Sequence, residues 1–207
     1  MQSYITVNTE NTAELVEKKS RFIATLFHIE TEEQAAEILG ATKTKYWDAR
    51  HNVYAYILKD GTARFSDDGE PHGTAGKPVL DVLQGSGITD ALVVVTRYFG
   101  GILLGTGGLC RAYSGAARLA IENAQRVLMC PSVVCEIICP YPDHQKLTAL
   151  IKDCGGSISS EEFTDSVKLV FSFKSEDIDG FEAALTETFS ARIVNKRKSE
   201  EFSAFLL

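Results

Sequence analysis

Residues 91–123 read ALVVVTRYFGGILLGTGGLCRAYSGAARLAIEN. The opening run, Ala91–Thr96, is short, continuous and β-branched, which suits a strand buried on both faces. Five glycines follow within nine residues, at 100, 101, 105, 107 and 108. Behind them an apolar, Ala-rich helix is expected from about Thr106 to Asn123. A glycine cluster ahead of a helix exposes backbone N–H groups at the positive end of the helix dipole, which favours an anion. Arg97, Arg111 and Arg118 bracket the segment, so an anionic ligand is the first expectation.

Upstream, SRFIATLF (20–27) reads as a strand. TEEQAAEILGATKTKY (31–46) reads as a helix with Thr31 as N-cap and acids in its first turn. Its inner face is Ala35, Ile38, Leu39 and Thr42. HNVYAYIL (51–58) and TARFS (62–66) read as strands joined at Asp60-Gly61, a hairpin signal. SDDGEPHGTAGKP (66–78) is a polar loop, and PVLDVLQGSG (78–87) a short helix stopped by glycine. Composition shifts after Arg126. The expected elements become strand 133–139, helix 143–153, strands 157–163 and 166–173, helix 177–189 and strand 192–198. This β-α-β-β-α-β order is ferredoxin-like. The fold class is therefore α+β, with a boundary near Met129–Ser132 and domains at 1–130 and 131–207.

At 207 residues, with 44% apolar and 24% charged residues, the chain has the composition of a globular protein of one large or two small domains. No apolar run reaches membrane-spanning length. The start, Met1-Gln2-Ser3-Tyr4-Ile5-Thr6, lacks the basic and apolar regions of a signal peptide, so a cytoplasmic location and no membrane partner are expected. The five cysteines are odd in number and follow no disulfide framework. Cys135 and Cys139 flank Ile137 on one strand face and read as buried thiols. Net charge is −7, with 13 basic and 15 acidic groups in residues 1–130 and 8 and 13 in residues 131–207. That balance argues against broad, non-specific nucleic-acid binding but leaves room for a local basic patch.

The glycine segment lacks the Lys of a Walker A loop and the third glycine of a dinucleotide fingerprint. Packing glycines are the plain alternative to a ligand cradle. On the helix, Arg111, Gly115, Arg118 and Glu122 share one face, and Cys110, Ser114, Ala117 and Ile121 a neighbouring core face. A second cluster lies in the loop 67–77, where Asp67, Asp68, Glu70, His72 and Lys77 are crowded together. With His51, these carboxylates offer a divalent-metal alternative, but the spacing matches no defined metal loop. No metal or cofactor is expected. No G-x-S-x-G elbow is present.

Three blocks, ARHNVYAY (49–56), RFSDDGEPHGTAGKPVL (64–80) and VVVTRYFGGILLGTGGLCRAYSGAA (93–117), closely resemble the signature blocks of the IMPACT family, in its bacterial YigZ-like branch. The resemblance covers most of residues 15–125. It implies an N-terminal domain of the ribosomal-protein-S5-domain-2 type and a ferredoxin-like C-terminal domain similar to one in elongation factor G. It also implies a link to translation, since eukaryotic members of the family act as translational regulators.

The leading expectation is a cytoplasmic, non-catalytic binding protein associated with translation. Gly105, Thr106, Gly107 and Gly108 would supply backbone donors to RNA, a ribosomal site or another phosphate-bearing partner. Lys77, Arg97, Arg111 and Arg118 would supply charge. The alternative is a small-molecule or nucleotide-binding enzyme using the same phosphate site and the loop of His51, Asp67, Asp68, Glu70 and His72. A further alternative is a protein-interaction module anchored by Tyr98 and Phe99.

Overall fold

Strand β6 (Ala91–Tyr98) is the middle of five strands and is buried along almost its whole length. It pairs antiparallel with β3 (Ser20–His28) on one side and β4 (His51–Ile57) on the other. The outer strands are β2 (Asn11–Glu17), hairpinned to β3, and β5 (Ala63–Ser66), hairpinned to β4. Alternation along β6 divides its side chains between two layers. Ala91, Val93 and Val95 join Phe22, Ala24 and Leu26 in the larger core, under α2 (Gly76–Gly85) and α3 (Gly105–Glu122). Leu92 and Val94 join the smaller core under α1 (Glu32–Lys45), where Ala35, Ile38 and Leu39 pack. A continuous apolar run is thus what a helix-covered central strand requires.

The structure is a computed structural model that describes residues 3–207. It divides into two compact units, Tyr4–Val127 and Leu128–Leu207. β1 (Tyr4–Val7) is tied to the first unit by a hydrogen bond from Thr89 N to the Ile5 carbonyl, 2.8 Å.

Local chemistry sets the helix starts. Thr31 Oγ1 accepts from Gln34 N at 3.2 Å and caps α1. α2 begins two residues earlier than its sequence pattern suggests, because Asp67 reaches across from the preceding loop. Its Oδ1 accepts from Gly76 N (2.8 Å) and Ala75 N (3.1 Å), and its Oδ2 from Gly73 N (2.8 Å). Pro78 is tolerated in this first turn because its missing N–H has no partner within the helix.

In the second unit, β9 (Val167–Lys174) lies between β7 (Arg126–Cys139) and β8 (Ser157–Phe163), and β10 (Lys196–Leu206) pairs with β7. Helices α4 (Tyr141–Asp153) and α5 (Ile178–Phe189) complete the βαββαβ order. Phe171, Phe173 and Phe181 form its aromatic core, with Phe173 and Phe181 stacked at 4.5 Å. Cys135 and Cys139 are buried beside Ile137, and burial pushes both thiols up. The last strand begins at Lys196 rather than near 192, and β1 and β2 add two strands that the apolar patterning did not mark.

Candidate functional site

At the sheet end where β6 finishes, four chain segments meet on one carboxylate. The register places Phe22 of β3 and His51 of β4 directly across from Arg97 of β6. All three project toward α2 and α3. Arg97 Nη1 donates to Glu70 Oε1 at 2.5 Å, and Tyr113 Oη of α3 donates to the same oxygen at 2.7 Å. His51 Nδ1 donates to the Asp68 carbonyl at 2.7 Å, leaving its Nε2 3.8 Å from Glu70 Oε1. The Arg97 guanidinium lies over the rings of Phe22 and Phe99, 5.5 and 5.6 Å from their centroids. Burial, then the Glu70 carboxylate, push the Tyr113 phenol far up, so it stays a donor.

The loop 66–76 is held just as firmly. Besides Asp67 on α2, Asp68 Oδ2 accepts from Asn52 N (2.6 Å) and its Oδ1 from Lys43 Nζ (3.2 Å). Burial acts upward on Asp67, but its three backbone donors and His72 outweigh it and hold the carboxyl below the usual carboxylate range. His72 itself is 99% exposed, 3.7 Å from Asp67. Among the described residues no three His, Cys, Asp or Glu side chains converge in a metal-binding set. The loop's carboxylates are committed to backbone amides, Lys43, Tyr113 and Arg97.

The α3 start has a different character. Gly105 adopts φ +70°, a conformation for which glycine suits, and no side chain caps the helix. Gly105, Thr106 and Gly107 are exposed. One turn on, Arg111 opens a groove of about 670 Å³ between α2 and α3. Arg118 and Arg126 line it further along, with Ser114, Cys110 and the acids Asp81 and Glu122. Asp81 is paired to Lys77. Among the described residues, Arg111, Arg118 and Arg126 make no ion pair.

The thirteen residues singled out by sequence therefore fall in separate places. Gly105, Thr106, Gly107, Gly108, Arg111 and Arg118 share the α3 surface. Arg97 does not join them: it is buried and spent on Glu70. Lys77 is turned to Asp81 on its own helix. His51, Asp67, Asp68 and Glu70 knit the loop to the sheet. Gly115 makes room for Leu15 of β2, whose Cδ2 lies 3.2 Å from where a Cβ would stand, so it serves packing. Cys110 and Ser114 line the groove rather than the core. Tyr113 escaped notice, although one phenol in a stripe of Leu109, Ala112, Ala116 and Ala120 signals a buried hydroxyl seeking a partner.

The Glu70 cluster draws its members from all three sequence blocks: His51 from the first, Glu70 from the second, Arg97 and Tyr113 from the third. The family model for the Impact N-terminal domain matches residues 18–121, and one for a domain of unknown function, DUF1949, matches residues 137–192. The chain belongs to the IMPACT family. An IMPACT family member of Haemophilus influenzae is 38% identical over 181 residues, covering 86% of this chain and 88% of that one. The IMPACT family member YigZ of Escherichia coli is 37% identical over 174 residues, 82% of this chain and 85% of that one. A crystal structure described only as that of a hypothetical protein superposes with a TM-score of 0.62 at 34% identity, covering 97% of this chain and 100% of that one. The Impact N-terminal match contains the whole Glu70 cluster, the loop 66–76 and the arginines at 111 and 118. Among the described residues, no helix is long and apolar enough to cross a membrane.

Proposed function

We propose that this IMPACT family protein is a cytoplasmic, translation-associated regulator that binds without catalysis. Its ligand is a phosphate-bearing partner, structured RNA or a ribosomal site, held by the domain at residues 1–130. The domain at 131–207 docks onto protein or tunes access. The observation that carries this reading is the groove between α2 and α3. Three arginines line it without ion partners among the described residues, beside a helix start that no side chain caps. Guanidinium groups match phosphate oxygens, and uncapped N–H groups at the positive helix end add donors. The link to translation follows from the role that family membership implies. With Glu70 and Asp67 already committed, the loop contributes rigidity to this end of the domain.

Filter binding of a structured RNA across a salt series tests the reading. Each phosphate contact contributes roughly 0.7–0.9 to the slope of log K against log salt. Arg111→Ala with Arg118→Ala should weaken binding and lower that slope by about 1.5. Absence of binding at low salt, or an unchanged slope in the double variant, counts against it.

A further inference from the structure

A second surface lies at the same sheet end, away from the α2–α3 groove. The chain's single tryptophan, Trp47, is 83% exposed just past the end of α1. Tryptophan is highly buried on average, so Trp47 stands out by its exposure. Its neighbour Asp48 accepts a hydrogen bond from Tyr98 Oη at 2.8 Å, fixing the segment against the end of β6. Phe99, 44% exposed, comes next in the chain but lies against the Arg97 guanidinium, 5.6 Å from its ring centroid.

The β2–β3 hairpin reaches Tyr98. Arg21 lies over the Tyr98 ring at 5.7 Å and is itself paired to Glu14. The register Glu17↔Ser20 leaves Lys18 and Lys19 as a two-residue turn. Both adopt left-handed backbone, φ 45° and 66°, where asparagine and glycine are usual. Strain of this kind persists where the surroundings hold it and where a side chain is needed at that spot. The surroundings do hold it: Gly100 packs so tightly that a Cβ there would lie 2.1 Å from the Lys19 carbonyl carbon. Lys18, Lys19, Lys45 and Arg50 are exposed and, among the described residues, free of ion pairs. The acids of this end are mostly engaged: Glu14 with Arg21, Asp48 with Tyr98, Asp68 with Lys43. Glu17 makes no ion pair among the described residues.

We infer that this face binds a single-stranded segment of RNA, with a base stacked on Trp47 and phosphates at the Lys18-Lys19 turn and Arg50. The inference rests on RNA being the ligand class and adds a surface separate from the groove. An exposed aromatic ring beside unpaired cations supplies both elements of a sequence-tolerant strand-binding platform. A protein-binding face is disfavoured by the lysines, which are depleted where proteins dock on one another.

Trp47 reports directly, because no other tryptophan contributes to emission. Titration of the full chain with a uridine ribo-oligomer of about 12 nucleotides should quench its fluorescence saturably, and salt should weaken the effect. A matched duplex, whose bases are already stacked, should quench little. With a labelled oligomer, Trp47→Leu should weaken binding roughly ten-fold, the size of one lost base stack. Lys18→Gln with Lys19→Gln should weaken it and flatten the salt dependence. All these positions are exposed, and an unchanged thermal midpoint confirms folding. Quenching should persist in the Arg111→Ala, Arg118→Ala protein. If no quenching appears at low salt while structured RNA still binds on filters, this inference fails and the groove reading stands. If quenching persists but filter binding is absent, the groove reading fails instead. Equal quenching by duplex, or a nuclease-insensitive protein partner lost on Trp47→Leu without any RNA binding, overturns the assignment.

Discussion

Arg97 and Glu70 form a buried ion pair that joins the end of the central strand to the loop ahead of α2, 2.5 Å apart with both side chains closed to solvent. The same Glu70 oxygen takes the Tyr113 hydroxyl, so strand, loop and α3 are fastened at one atom. α3 also carries the groove's Arg111 and Arg118, and β6 runs on to Tyr98, which holds Asp48, so the knot joins the elements behind both surfaces.

Breaking the knot from one side should be costly. Glu70→Ala strands a buried guanidinium and an unsatisfied phenol, a loss of about 3–5 kcal/mol. Tyr113→Phe removes one bond to a charged acceptor, about 1.5–3 kcal/mol. Replacing both charges, Glu70→Leu with Arg97→Met, should recover much of the single-variant loss. Urea unfolding of the three variants checks the order; equal losses in single and double variants would contradict it.

The Asp67 cap makes stability depend on pH in a definite direction. Its folded carboxyl sits below the usual range, and an unfolded aspartate titrates near about 3.9. A depressed folded value gives stabilisation that is present above the unfolded value and lost as pH falls through the folded one. Asp67→Asn should therefore destabilise at pH 7, and the gap to the parent should close as the pH drops below about 4. Urea midpoints at several pH values measure it. A gap independent of pH would show that the charge is immaterial.

Much of this architecture is legible from side-chain pattern alone. The β-branched run at 91–96 names a covered central strand, and Thr31 names the start of α1. β2, in contrast, is an edge strand with few buried side chains, so its sequence carries little periodic signal. The Glu70 knot escapes for another reason. His51, Glu70, Arg97 and Tyr113 are brought together by strand register and loop path, which no local spacing encodes. Arg97 and Arg111 look alike in the sequence, yet burial against Phe22 separates their fates.

The lysine turn offers a trade between stability and binding. Lys18→Asn with Lys19→Gly places the residues that a two-residue hairpin of this twist favours, and should stabilise the domain by about 1 kcal/mol or more. RNA binding by the Trp47 face should weaken at the same time. Thermal unfolding paired with oligomer titration reads both. Loss of stability would mean that the lysines make contacts the turn needs.

Two glycines of opposite meaning test how far space decides a substitution. Gly40 lies inside α1 with ordinary helical φ, and a Cβ added there would meet nothing within 4 Å. Gly40→Ala should stabilise by roughly 0.5–1 kcal/mol, since alanine loses less conformational freedom in a helix. Gly100 meets backbone on that side: Lys19 C at 2.1 Å, Lys19 O at 2.2 Å and Ser20 N at 2.4 Å. Its own N–H also donates to Ser20 Oγ at 3.1 Å. Backbone cannot rotate aside as a side-chain tip does, so Gly100→Ala must push the β2–β3 turn away from the 99–104 loop. That shift should cost more than about 2 kcal/mol. It should also raise amide exchange at Lys19 and Ser20, while exchange in α1 stays unchanged. Hydrogen exchange on the two variants separates the cases. Parental protection at Lys19 in the Gly100→Ala protein would show that the loop yields instead of the turn.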